Sequence, residues 1–291
     1  MYEINNLVLN RIFTKNTVRS FIDDHPDLCY YTVVRRFIDD ISEKNHGQII
    51  SEIYKRLDNN YRNEYFYKNT LLNKLLLGIH SPNTTTALIE VPINKSKADF
   101  IMINGKAILY EIKTELDTFE RLYSQINDYY KAFPNVNVVT SEDNIKLIEK
   151  KLNNSCVGIY LLTKKRNAIK HIKECSSDYS KLEHKTIFKI LRKQEYKNII
   201  KTNIGELPEV SDFDFYDECY KIFANIDIKE AYDMAVKELK KRNHIDVSLI
   251  KSIPSELRGV MYFSKFKEKD YEKLNNFLNE KIGDNYVLSV S

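Results

Sequence analysis

The chain has 291 residues, with 45 Lys and Arg against 41 Asp and Glu (net +4), 43% hydrophobic and 12% aromatic residues, and no Trp. Charges of both signs and apolar residues are interspersed throughout, which excludes a low-complexity or disordered polymer and points to one large or two smaller compact domains. The longest apolar runs, Leu75–Leu77 and Ile159–Leu162, fall far short of the roughly 20 residues a membrane helix needs, and Met1–Asn10 lacks a basic start and apolar stretch. The expectation is therefore a cytoplasmic protein with no cleaved signal and no membrane partner.

The small net charge leaves a polyanion partner open, because nucleic-acid binders depend on clustered bases rather than a positive sum. Cys29, Cys156, Cys175 and Cys219 are far apart with no Cys-x-x-Cys spacing, and the six His residues are dispersed. Free thiols in a reducing compartment are expected rather than disulfides or a zinc site.

In chain order, apolar residues from about 7 to 79 follow helical spacing, most clearly over Ile49–Leu57 and Tyr61–Leu77. Short β-branched and apolar runs then predict five strands: Ala87–Val91, Phe100–Ile103, Ala107–Ile112, Val136–Val139 and Val157–Leu162. Between the third and fourth, Asp117 and Glu120 have the spacing of a capping box. They predict a helix with a stripe of Phe119, Leu122, Ile126, Tyr129 or Tyr130, and Phe133, stopped by Pro134. Ser141–Leu152 predicts another helix.

After Thr163 the pattern predicts helices only, over about Leu182–Ile200, Phe213–Phe223, Lys229–Lys241, Ser255–Phe266 and Asp270–Ile282, with a turn at Gly205–Pro208. The fold class expected is α/β: a mixed sheet with an antiparallel hairpin, flanked by helices, plus a helical C-terminal region. The expected divisions are an N-terminal helical segment at 1–47, the sheet-bearing core at 48–164 and the helical region at 165–291.

The most informative stretch runs from Lys97 to Lys113. On the strand ending Glu111-Ile112-Lys113, alternation puts Glu111 and Lys113 on one face. Asp99, across the Asn104-Gly105 turn, can bring a second carboxylate to the same end of the sheet. Two carboxylates beside an ammonium suit Mg²⁺, a hard cation that completes its shell with water and substrate phosphate. The turn sets a condition. A two-residue Asn104-Gly105 turn would put Asp99 opposite Tyr110, on the face away from Glu111. A shared face requires an odd-length, bulged turn at Gly105 or a kink at Asp99.

This pattern resembles the PD-(D/E)XK nuclease superfamily, in which an Asp on one strand of a hairpin and a Glu-x-Lys on the next form the cleavage centre. Asp99, Glu111 and Lys113 match the signature positions, with Ala98 in place of the leading Pro, and the predicted element order matches over 48–163. Gln125 and Tyr129, i and i+4 on the following helix, match the Gln-x-x-x-Tyr element of the RecB-like branch.

The resemblance implies a restriction-endonuclease-like core and a metal-dependent nuclease, acting on DNA rather than RNA, in defence or mobile-element biology. It further implies Mg²⁺, for which Mn²⁺ can substitute, held by Asp99, Glu111 and the backbone carbonyl of Ile112, with Lys113 positioning the attacking water. The family often adds an acid from the first core helix. Glu64 is the candidate, against a surface pair with Lys68, and Glu90 is its rival, while Glu115 belongs to the negative flank of the following helix.

Outside the core, Lys181, Lys185, Lys189, Arg192, Lys193, Lys197 and Lys201 form a basic series able to neutralise phosphates, with Arg192 and Lys193 as candidate substrate contacts. Lys237, Lys240, Lys241 and Arg242 form a second series, expected to complement a helix end. The alternative function is a catalytically inactive nuclease-fold protein that binds nucleic acid, or a protein partner or second copy through its C-terminal helices.

Overall fold

A computed structural model describes residues 8–80, 83–243 and 245–282. They form two compact units, one drawn from Met1–Pro82 with Ile245–Ser291, the other from Asn83–His244.

The first unit begins with α1 (Leu9–Ile12), α2 (Lys15–Ile22), α3 (Leu28–Phe37), α4 (His46–Asn60) and α5 (Glu64–Leu71), the last running into a π-helical turn at Leu72–Leu76. Local chemistry sets the helix starts. Asn45 and Gln48 exchange side-chain and backbone hydrogen bonds in a capping box, and Asn63 caps α5 through the Phe66 N–H.

The second unit is built on a six-stranded mixed sheet in the order β1 to β6. β1 (Thr86–Ile93), β2 (Ser96–Asn104) and β3 (Lys106–Lys113) are antiparallel neighbours. The chain then crosses through α6 (Leu122–Tyr130) to β4 (Val136–Ser141) and through α7 (Ile145–Leu152) to β5 (Gly158–Leu162), both steps parallel. Both crossovers step in the same direction, so right-handed connections put α6 and α7 on one face. Accordingly, Leu122, Ile126, Ile148 and Leu152 share a core with Ile101, Leu109, Val138 and Ile159. β6 (Ile169–Lys173) turns back antiparallel to β5. Then α8 (His184–Lys189), α9 (Lys193–Ile204), α10 (Phe215–Ala224) and α11 (Ile228–Lys240) add Phe188, Ile199, Phe223 and Leu239 to the same core.

The chain returns to the first unit with α12 (Val247–Ser252), α13 (Arg258–Ser264) and α14 (Glu268–Asn279). There Phe277 stacks on Phe21 at 4.9 Å and on His46 at 4.1 Å, and Asn69 of α5 accepts from the Gly259 N–H at 2.8 Å. Among the described residues, no helix is long and apolar enough to cross a membrane.

Four sequence expectations change. The helices after residue 183 are not a separate region beginning at 165, because the apolar faces of α8–α11 complete the core of the sheet. The boundaries of the compact units fall instead at 82/83 and 244/245, so the expected segments 1–47 and 48–82 share one unit. The single helix expected over 182–200 is two, separated at 190–192. The strand β6, Ile-Lys-His-Ile-Lys, went unforeseen because its two isoleucines stand three apart among basic residues and show no apolar alternation. Finally, α6 starts at Leu122 rather than beside Asp117, whose carboxylate accepts from the Thr114 N–H and hydroxyl, both at 2.7 Å.

Candidate active site

The β2–β3 register pairs Asn104 with Lys106 and Phe100 with Tyr110, leaving Gly105 alone outside the ladder. Gly105 has φ +73°, and a Cβ there would meet nothing within 4 Å, so glycine is required for its backbone conformation and not for space. This is the odd-length turn that a shared face requires. Extended by one pair, the register sets Asp99 across from Glu111.

A kink accompanies it. On the other side of β2, Ile89 pairs with Phe100 and Val91 with Ala98, so Glu90 stands across from Asp99, and Glu90 has φ +57°. Left-handed backbone is uncommon outside glycine. At this level the strand alternation breaks in both strands. Leu88 and Val91 face the same core three residues apart, as do Ala98 and Ile101. The interruption takes Asp99 out of the regular pleat, and its Oδ2 accepts from the Ile112 N–H at 2.8 Å.

Glu111 is buried, 1% exposed, and both of its oxygens are engaged. Oε1 lies 2.9 Å from Lys113 Nζ, and Oε2 accepts from the Tyr129 hydroxyl at 2.5 Å. Lys113, also buried, donates to Gln125 Oε1 at 2.9 Å. The α6 pair Gln125 and Tyr129 therefore holds the β3 pair Lys113 and Glu111 residue for residue. Burial raises the Tyr129 pKa far above the ordinary phenol value, and the Glu111 and Asp99 carboxylates add to it, so the hydroxyl stays a donor. Ser96 Oγ, donating to Asp128 Oδ2 at 2.7 Å, ties α6 to β2. The end of β3 is held by Thr140, whose hydroxyl donates to the Lys113 carbonyl at 3.0 Å.

The structure thus brings together Asp99, Glu111, Ile112, Lys113, Gln125 and Tyr129. Glu64 lies in the first unit, where it pairs with Lys68. Glu90 pairs with Lys97, beside Asp99. Arg192 and Lys193 are exposed at the start of α9, with Lys193 Nζ 5.8 Å and Lys197 Nζ 5.6 Å from the centre of the Phe215 ring. Within the second basic series, Arg242 is a half-buried clamp rather than a helix-end charge. It donates to both oxygens of Glu195 and to the Ile190 carbonyl, all at 2.6 Å. Sequence reasoning missed this pair because 47 residues separate its members. It also missed the Lys97 carbonyl, 2.9 Å from the Tyr129 hydroxyl. No local pattern announces either contact.

Among the described residues no group of three or more His, Cys, Asp or Glu is placed to hold a metal. The oxygen donors at hand are the Asp99 and Glu111 carboxylates and neighbouring peptide carbonyls. They are the right chemical kind for a hard divalent cation, provided Glu111 exchanges Lys113 or Tyr129 for it.

No curated protein and no solved structure matched this chain. The family model described as bacteriophage P4 protein cII matches residues 57–260, a span that includes all of β1–β6 and every residue of the Glu111 cluster. Because that match covers well over half of its length, the chain belongs to the bacteriophage P4 protein cII family.

Proposed function

We propose that the protein is a metal-dependent nuclease with a restriction-endonuclease-like core of the PD-(D/E)XK type, hydrolysing phosphodiester bonds in DNA in preference to RNA. One observation carries this reading: Asp99, displaced from the strand pleat, meets the strand end where Glu111 and Lys113 are held by Gln125 and Tyr129. Within the second unit, the order of three strands, helix, strand, helix and strand supports it. A family named for a bacteriophage protein is compatible with action in the cytoplasm of an infected cell and with mobile-element biology.

In this reading Asp99, Glu111 and the Ile112 carbonyl would hold Mg²⁺ or Mn²⁺. Such an ion supplies a water of lowered pKa and polarises a phosphoryl oxygen. Lys113 orients that water and offsets charge developing on the phosphate. Gln125 fixes the direction of the Lys113 ammonium, and Tyr129 fixes the Glu111 carboxylate. Arg192, Lys193 and the lysines that follow on α9 contact the substrate backbone.

The test is cleavage of plasmid DNA, single-stranded DNA and RNA by the full chain in Mg²⁺ or Mn²⁺, against EDTA and the variants Asp99→Ala and Lys113→Ala. Metal-dependent cutting that both variants lose is expected. Cutting that survives EDTA or Asp99→Ala would overturn the assignment.

A second reading, a nuclease-fold protein that binds without cutting, is favoured by the burial of Glu111 and the engagement of both its oxygens. Tight DNA binding with no cleavage in either metal would select it.

A further inference from the structure

We infer that a cleft between α9 and α11, distinct from the Glu111 cluster, binds a nucleoside phosphate. The cleft has a volume of about 610 Å³, within the range of small-molecule sites. Its lining divides by chemistry. Met234, beside the buried Ile199, supplies apolar surface, Asn83 an amide, Thr202 a hydroxyl, and Lys237, Lys240 and Lys241 three ammonium groups.

The spacing explains the convergence. Ile199 and Thr202 lie three apart on α9, Met234, Lys237 and Lys240 follow at three-residue steps along α11, and Lys241 is the cap residue at its end. The one carboxylate in the lining, Glu238, is already held by Asn198 at 2.9 Å and by Lys241. Lys237 and Lys240 have no ion pair among the described residues, and Arg242 is spent on Glu195. The Lys240 backbone is fixed by the Thr86 hydroxyl, which donates to its carbonyl at 2.7 Å.

Two uncompensated ammonium groups one helical turn apart suit a di- or triphosphate better than a single carboxylate, since each can meet a different phosphate. The apolar surface beside them suits a flat base, and the Thr202 hydroxyl suits a sugar or base edge. The ligand is either a free nucleotide or the phosphorylated terminal nucleotide of a strand, which share this chemistry. The inference does not depend on the nuclease reading.

The test is calorimetric titration of the full chain with ATP, with tripolyphosphate, and with a short oligodeoxynucleotide bearing a 5′-triphosphate. ATP is expected to bind, and the double variant Lys237→Ala, Lys240→Ala to weaken it by at least about tenfold. Met234→Ala is expected to weaken ATP while leaving tripolyphosphate unchanged, a result that charge alone would not give. Whichever of ATP and the oligonucleotide binds more tightly identifies the source of the ligand. Absence of ATP binding, equal affinity in the lysine variant, or tripolyphosphate binding as tightly as ATP would each overturn the proposal. Asp99→Ala should leave ATP binding intact, so a failed nuclease reading and a failed cleft are separable.

Discussion

The second unit contains two acid–base pairs, each with a buried carboxylate, that look alike in isolation. Arg242 and Glu195 join α9 to the end of α11, and Lys113 and Glu111 lie side by side on β3. In the first, every strong acceptor is saturated by a fixed partner: two guanidinium bonds on Glu195, the Arg192 N–H on Oε2, and the Ile190 carbonyl on Arg242. Among the described residues no second carboxylate is bonded to it. In the second, a further carboxylate, Asp99, arrives through a break in strand alternation, and the partners are an amide and a phenol rather than a fork of matched charge. A buried ion pair is therefore weak grounds for chemistry. The distorted backbone and the converging unlike groups around Glu111 separate a candidate site from a structural clamp.

This contrast can be broken by experiment. The largest effect is expected from Arg242→Ala, which leaves Glu195 buried without its partner and should cost about 3–5 kcal/mol by urea denaturation, with any cleavage per folded molecule unchanged. Lys113→Ala should do the opposite. Cleavage should fall by about a hundredfold to a thousandfold while the protein still binds DNA in a gel-shift assay. If instead Arg242→Ala abolishes cleavage in a folded protein, or Lys113→Ala leaves it intact, the two pairs have been assigned the wrong way round. Gly105→Ala sharpens the role of the hairpin. A left-handed alanine should lower stability by about 1 kcal/mol in thermal melts, and cleavage should fall with it if the odd-length turn sets Asp99 against Glu111.

The smallest effect is in pH. Burial alone would raise the Glu195 pKa, but hydrogen bonds from Arg242 and the Arg192 N–H outweigh it and hold the carboxyl below its ordinary value. Stability from the clamp is thus complete above the unfolded glutamate value of about 4.3 and is lost as pH falls through the lowered folded value. Urea midpoints should fall across that window in the parent protein more than in Arg242→Ala.

Much of the candidate site was legible in the sequence because its parts are close along the chain. Glu111 and Lys113 follow from strand alternation, Gln125 and Tyr129 from the family resemblance joined to helical spacing, and the turn condition at Gly105 from counting residues around a hairpin. The paired break at Glu90 and Asp99 was only partly legible. A kink at Asp99 could be stated as the alternative to a bulged turn, but its occurrence in both strands depends on how β1 and β2 pack on the shared core. The cap expected at Asp117 failed for a related reason: its carboxylate found Thr114 behind it instead of the helix ahead.

By itself the sequence determined the α/β class, five of the six strands and the cluster on β3 and α6. Each of these rests on a period of two or 3.6 residues, or on a turn, and such periods are local properties of the backbone. Tertiary structure alone decided the membership of the two units, the addition of α8–α11 to the sheet's core, and the assignment of Arg242 to Glu195 rather than to a helix end. Those outcomes depend on which apolar face covers which and on partners tens of residues apart, and no local pattern encodes them. The near balance of 45 bases and 41 acids had the same limit, because the sum records how many charges the chain carries while burial and pairing decide which remain available to a ligand.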